Sequence, residues 1–322
     1  MKILIKLRKT LLLLLILTGT LYSNGQQDPM YTQYMNNLQT INPAYAGSWE
    51  SIGFLALSRY QWVGFTGKPS TQTFSFQTPL KTRNVGVGFD LVIDKLGPER
   101  RTMVNLDYSY RIKLKDVDSG NESDNTYLRF GLKGGFTNYS NDLLVLTPFP
   151  GGESDPVLQG VIENKFVTNV GIGMFLYSPK KYYLSISVPR LVQNKIDENT
   201  GQFTKLSEVR QYYFVGGITF PLSDNLLFKP AFMTKAAVGS PMQFDISTNF
   251  LLFNKFWIGG MYRSGDALGL SAQWIIDSRL RIGYTTDFTL SELKHYHQGV
   301  HEIMIQYEIK FTKRKFTSPR YF

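Results

Sequence analysis

The chain has 322 residues, 43% hydrophobic and 19% charged, with a formal net charge of +10, 4 Trp, 19 Tyr, 23 Phe and no cysteine. That aromatic content excludes a disordered chain, and the lack of cysteine excludes both a disulfide framework and thiolate chemistry. No run of 18 or more apolar residues occurs, which excludes membrane-spanning helices and leaves one large β domain or two smaller domains.

Residues 1–25 read as a cleaved export signal. Lys2, Lys6, Arg8 and Lys9 form its basic start, Leu11 to Leu17 its apolar core, and Ser23-Asn24-Gly25 a small-residue cleavage site before Gln26. The apolar core is too short to span a bilayer, and no cysteine follows it to carry a lipid. The alternative is an uncleaved amphipathic anchor. Removing the signal takes the net charge from +10 to +6. The remaining positive excess is partly in a basic tail, residues 312–322, and is otherwise dispersed, so no nucleic-acid partner is expected.

Residues 26–50 form an N-terminal segment. Asp28-Pro29 is followed by Tyr31, Tyr34, Met35, Leu38 and Ile41 at helical spacing, which predicts a short capped helix with one apolar face, followed by a stop and turn at Asn42-Pro43-Ala44-Tyr45-Ala46-Gly47. The segment is either an ordered strap or a periplasmic plug packed on or in the body that follows.

Residues 51–311 alternate apolar and polar side chains with period two. Val85, Val87, Phe89, Leu91 and Ile93 alternate with Gly86, Gly88, Asp90, Val92 and Asp94. A soluble sandwich shows the same alternation, so segment and connection lengths must decide. Transmembrane strands need about 9 to 11 residues, and outer-membrane barrels pair short periplasmic turns with long external loops. About fourteen segments of that length can be placed, near 51–62, 71–79, 84–95, 101–114, 126–138, 165–177, 181–189, 210–220, 226–236, 242–253, 255–263, 267–276, 279–288 and 300–311. Alternate connections are short, as at Ser178-Pro179-Lys180, Pro221 to Asn225, Asn254 and Asp277-Ser278; the others include the long stretches 139–164, 190–209 and 289–299. The polar run Lys115 to Asn125 breaks this rule. The reading is an all-β, antiparallel transmembrane barrel in the outer membrane.

The outward set then includes Phe130, Leu132, Leu184, Ile186, Phe214, Ile218, Phe250, Trp257, Trp274, Ile303, Ile305 and Tyr307. The inward set includes Asp90, Asp107, Arg111, Arg129, Lys133, Arg281, Asp287 and Glu302. Both signs of charge inside predict a filled, ion-paired lumen. Gly86, Gly88, Gly171 and Gly173 lie in strands with no helix after them, so they are not phosphate loops; they let bulky neighbours or a plug approach the wall.

Chemistry is sparse. His295, His297 and His301 lie together, but about 20 Å of extended backbone separates the first from the last, so no metal site is predicted. Ser291, Glu292, His295 and Asp287 are near in sequence without forming a catalytic constellation, and neither an enzyme nor a cofactor is expected. The most informative stretch is Arg59 to Thr71, at the top of the first hairpin. Arg59, Gln61, Trp62, Gly64, Phe65 and Pro69 make a shaped loop of the kind that anchors a protein partner, or an aromatic girdle with a hairpin turn.

Here the chain resembles a known family. Gln33-Tyr34, Asn42-Pro43-Ala44-Tyr45-Ala46-Gly47, Arg59, Gln61-Trp62, Gly64-Phe65, Gly67 and Pro69 are similar to the pattern of the PorP/SprF proteins of the type IX secretion system in Bacteroidetes. So are Gly97-Pro98, Tyr183, Ser185, Ser187, Pro189, Pro230, Pro241, Tyr262-Arg263, Ile282-Gly283-Tyr284, Asp287, Gly299 and His301-Glu302. Lys68 departs from it, where the family has a small residue. The resemblance implies a non-catalytic outer-membrane barrel needed for export or surface attachment of secreted type IX substrates, including adhesins of gliding motility. It implies contact with other secretion components, among them periplasmic or cell-wall-linked proteins, and with outer-membrane lipid. The competing reading is a transport barrel, a porin or hydrophobic-compound channel.

Overall fold

The computed structural model describes residues 29–49, 51–80, 84–115, 125–142, 161–179, 181–197 and 205–311. The export signal, Asp28, most of the run from Lys115 to Asn125 and the basic tail lie outside the described residues.

The wall is an up-and-down meander. Its strands are β1 Ile52–Tyr60, β2 Ser70–Pro79, β3 Val85–Leu96, β4 Glu99–Lys115, β5 Thr126–Asp142, β6 Val161–Ser178 and β7 Tyr182–Val188. A two-stranded hairpin, β8 Lys195–Asp197 and β9 Lys205–Ser207, stands apart from the wall sheet. The wall resumes with β10 Gln211–Ile218, β11 Phe220–Ser223, β12 Leu226–Ala237, β13 Gln243–Leu252, β14 Phe256–Arg263, β15 Ala267–Ile275, β16 Leu280–Thr289 and β17 Val300–Ile309. Both β10 and β11 pair with β12 and form one strand interrupted at Thr219, so the wall has fourteen antiparallel strands. β1 pairs with β17 from Ile52↔Ile309 to Tyr60↔His301, which closes the barrel and leaves the wall sheet without a free edge there.

The period-two pattern becomes two surfaces. Phe130, Leu132, Ile186, Phe214, Trp274, Ile303 and Ile305 are exposed, whereas Asp90, Asp107, Arg129, Lys133, Asp287 and Glu302 are buried. An apolar band around a closed sheet with charged groups buried inside is stable only with hydrocarbon outside, because water would face a far larger apolar patch than soluble proteins carry.

Two expectations need correction. Trp257 faces the lumen and is 5% exposed, with the Lys229 ammonium 5.9 Å from its ring centroid. β14 is apolar on both faces, so alternation does not orient it; the turn at Phe253-Asn254, both with positive φ, puts Phe256 and Ile258 outside and Trp257 within. Second, β5 and β6 run on to Asp142 and back from Val161, so the long connection there is 143–160 rather than 139–164.

The N-terminal segment is not a single helix. It has a 3-10 turn Tyr34–Asn36, a one-turn α-helix α1 Leu38–Ile41 and a 3-10 turn Pro43–Tyr45. Nearly all of residues 31–49 are buried, the polar Gln33, Asn36, Asn37, Gln39 and Asn42 included, because the segment lies inside the barrel. It runs lengthwise. Met30 Sδ lies 3.2 Å from Lys235 near the end of β12, Thr32 meets the upper ends of β16 and β17, and Ala46 meets Gly86 at the start of β3. The segment therefore descends from the end with long loops to the end with short turns, where it enters β1. Long loops mark the external end.

Candidate functional site

The contacts that hold the segment in the lumen form three seats. At the external seat, Arg59 on β1 and Glu302 on β17 are directly opposed across the closing seam. The Arg59 guanidinium donates to Glu302 at 3.1 Å and Asp287 at 2.9 Å, all three side chains being at most 2% exposed. Thr32 Oγ1 donates to Asp287 and accepts from Arg59 at 2.8 Å, and the Thr32 and Gln33 amides donate to Glu302 at 3.0 and 2.9 Å. Both carboxylates are thus compensated by one guanidinium and by the segment itself, which is what buried charge requires. Beside them Arg263 pairs with Asp245 at 3.0 Å and donates to the Tyr31 carbonyl at 3.2 Å.

The middle seat centres on Lys133. Its ammonium donates to Asp90 at 2.7 Å and to the carbonyls of Gln39 and Thr40 at 3.2 Å, with Asp107 at 3.4 Å. These carbonyls end α1, where C=O groups lack helical partners and a cation satisfies them.

The lower seat holds Asn42 to Gly47. The Asn42 amide donates to the Met174 carbonyl at 2.9 Å and to Ser185 at 2.7 Å, while its Oδ1 accepts from the Ala44 amide. Arg129 donates to the Ala46 and Gly47 carbonyls at 3.2 and 3.0 Å, and Ser109 donates to Ala46 at 2.6 Å. Tyr45 packs edge-on against Phe175 and accepts a bond from Trp49 Nε1. The strand glycines permit this approach. A Cβ on Gly131 would overlap the Ala44 amide, one on Gly173 would overlap Asn42 Oδ1, and one on Gly86 the Ala46 carbonyl.

Above the external seat lies an open cavity of about 470 Å³, lined by Met30, Arg59, Trp62, Met242, Asp266 and Asp287 among others. The loop of the first hairpin forms part of its rim. Val63 and Gln298 exchange backbone hydrogen bonds with Gly299 and Val63 at 3.0 and 2.8 Å, Gln61 bonds Pro69 at 2.9 Å, and Gly97 bonds Gly67 at 3.0 Å. The loop is braced on both sides.

The residues singled out in this loop separate. Phe65 is 50% exposed, Gly64 is exposed, Gln61 and Trp62 are half-buried, and Pro69 is buried. Arg59 lies below them, inside the lumen, bonded to the plug. Asn42, Pro43, Ala44, Tyr45 and Gly47 lie together in the lower seat. The histidines do not converge: His301 meets the Tyr284 hydroxyl at 2.7 Å on the outer wall, and His297 accepts from the Gly299 amide. Alternation in β12 and β13 would have found Lys229, Lys235 and Asp245, which line the lumen.

Comparison of the whole sequence with protein families matches residues 23–307 to "Type IX secretion system membrane protein PorP/SprF". The chain belongs to the PorP/SprF family. It is an outer-membrane β-barrel of the type IX secretion system and works with other components of that system. No curated protein matches it. Among solved structures, the CymD monoaromatic hydrocarbon channel aligns with a TM-score of 0.47 and 9% identity over 89% of this chain and 95% of that one. A Pseudomonas aeruginosa FadL homologue gives 0.43 and 10% over 80% and 89%, and Acinetobacter baumannii Omp33 gives 0.42 and 7% over 81% and 99%.

Proposed function

We propose that this PorP/SprF protein is a non-catalytic anchor or accessory of the type IX machine. It supports export or cell-surface attachment of secreted proteins, such as large gliding adhesins, and is not itself a conduit. The observation that carries this reading is the filled lumen: three seats of buried charge and hydrogen bonds hold the protein's own N-terminal segment along the barrel axis. A pore for solutes would have to break them. We assign residues 1–25 to a cleaved signal, 26–50 to the plug, 51–311 to the barrel and 312–322 to a periplasmic tail. Trp62 and Phe65, on a braced external loop, are the contacts offered to the secreted partner, and the basic tail with the run from Lys115 to Asn125 is offered to a periplasmic, cell-wall-linked one.

Two measurements test this. The purified protein should be nearly silent in planar bilayers, whereas steady solute-selective conductance would favour the transport reading. A Trp62→Ala, Phe65→Ala double variant should assemble normally yet release or mislocalise one surface protein; unchanged display would remove the loop from the proposal.

A further inference from the structure

The cavity at the external mouth is the feature that the plug does not use. Its floor is the external seat, where Arg59 is held by Asp287 and Glu302 and both carboxylates are also bonded to the plug. Those charges are already matched. Asp266 is different: its carboxylate is 55% exposed, and its ion pair with Arg263 is long, 3.6 Å, because Arg263 is drawn inward by Asp245 and the Tyr31 carbonyl. Trp62 lines the same cavity with φ +51, a left-handed conformation that a bulky side chain adopts only when its surroundings impose it. The imposing contacts are the backbone bonds from Val63 to Gly299 and from Phe65 to Trp62. Met242, 53% exposed, and Met30 add adaptable apolar surface.

We propose that this vestibule receives an extended peptide segment of the exported partner protein, with a lysine or arginine side chain facing Asp266 and apolar neighbours against Trp62 and Met242. The inference deepens the anchoring role and rests on it. Charge complementarity selects the cation, since among the described residues that line the vestibule Asp266 is the acidic group that faces water, and the Trp62 side chain lining the same cavity favours a cation further. Size selects the form of the partner: about 470 Å³ holds a few side chains of a loop or terminus, in the range of ligand pockets, and not a folded domain. The sealed floor makes it a docking site, because whatever enters meets Met30 and the clamp beneath it.

The test uses the full-length protein in detergent micelles and fluorescein-labelled hexapeptides of threonine and valine around a central lysine, norleucine or glutamate. Anisotropy should show the lysine peptide binding about fivefold more tightly than the norleucine peptide, as a partly exposed ion pair gives, with glutamate weakest. Asp266→Asn should abolish the lysine preference, and Trp62→Ala should weaken the lysine and norleucine peptides alike. Equal binding of lysine and norleucine peptides by the native protein, or a preference that survives Asp266→Asn, overturns the proposal. So does arginine amide competing as well as the peptide, which would make this a free-cation site. Heat-modifiable migration of each variant verifies that the barrel is intact. In cells, a deletion strain that loses surface display but is fully restored by Asp266→Asn refutes the docking site and leaves the anchoring role standing; a deletion strain that keeps display refutes the anchoring role itself.

Discussion

Replacing Gly131 with alanine should unseat the lower half of the plug while leaving the wall intact. A Cβ at 131 overlaps the Ala44 amide and the Pro43 carbonyl carbon, both backbone atoms that cannot swing aside as a side-chain tip can. Restoring ordinary contact, near 3.5 Å, moves the segment by on the order of 1 Å. The Asn42 bonds to Met174 and Ser185 and the Arg129 bonds to Ala46 and Gly47 do not survive such a shift. Leaving two or three buried polar groups unsatisfied costs about 2–9 kcal/mol, at roughly 1–3 kcal/mol each. The outward side chains of β5, Phe130 and Leu132, are untouched, so the barrel should still insert and migrate as a folded species. Residues 29–49 contain no Lys or Arg, and chymotrypsin is the suitable probe. The native plug should resist it; in Gly131→Ala it should be cut near Tyr45 or Trp49, with a rise in bilayer conductance. Gly134→Ala, on the same strand but with nothing within 4 Å of its Cβ, is the matched control and should behave as the native protein. Native resistance and native conductance in Gly131→Ala would refute the seating described here.

Arg59→Met should lower the temperature at which the folded band is lost, since two buried carboxylates lose their cation at a cost of about 3–5 kcal/mol; Arg59→Lys should recover only part, because one ammonium cannot reproduce the forked geometry. Lys133→Met should destabilise by a similar amount through Asp90 and Asp107, and an Asp90→Asn, Asp107→Asn partner should restore much of it in the same heating assay. Deleting residues 312–322 should leave heat-modifiable migration unchanged while reducing co-purification of periplasmic proteins from native outer membrane; full retention of those proteins would count against the tail as a contact.

The strands were legible because a transmembrane wall forces one face into lipid at every turn of the pleat, so Val104, Leu106, Tyr108 and Tyr110 announce their side without any partner being known. Where both faces are apolar the signal vanishes, which is why Trp257 misleads. The upper ends of β5 and β6 were lost for a related reason: Tyr139, Ser140, Asn141 and Asp142 are mostly polar, without the alternation that marks the rest of the strand, and read as loop. The N-terminal apolar spacing predicts a helix, yet the helix is broken because the lumen offers competing partners. The Thr32 and Gln33 amides bond Glu302, and the Ala44 amide bonds Asn42 Oδ1, so side chains take the place of the i−4 carbonyls. The inward charges were legible one by one, but their pairing was not. Arg59 and Glu302 are 243 positions apart and become neighbours only when the first strand closes on the last.

That closure gives the residues that carry the family resemblance a common physical purpose. Gln33 and Asn42 to Gly47 are on the plug; Arg59, Ser185, Arg263, Asp287 and Glu302 are on the wall; and hydrogen bonds between the two sets join Glu302 to Gln33 and Ser185 to Asn42. A Cβ on Gly283 would likewise approach Gln33 Oε1 at 2.6 Å. The pattern therefore describes in large part the fit of a segment in its barrel, and its loop residues from Gln61 to Pro69 follow directly on the strand that bears Arg59. Only Tyr60 and Gln61 separate Arg59, the clamp on the plug, from Trp62 at the rim of the vestibule. On the docking proposal, a partner held at Trp62 would sit just beyond the end of the strand whose Arg59 fastens Thr32, so the docking site and the clamp on the N-terminal segment share one stretch of chain.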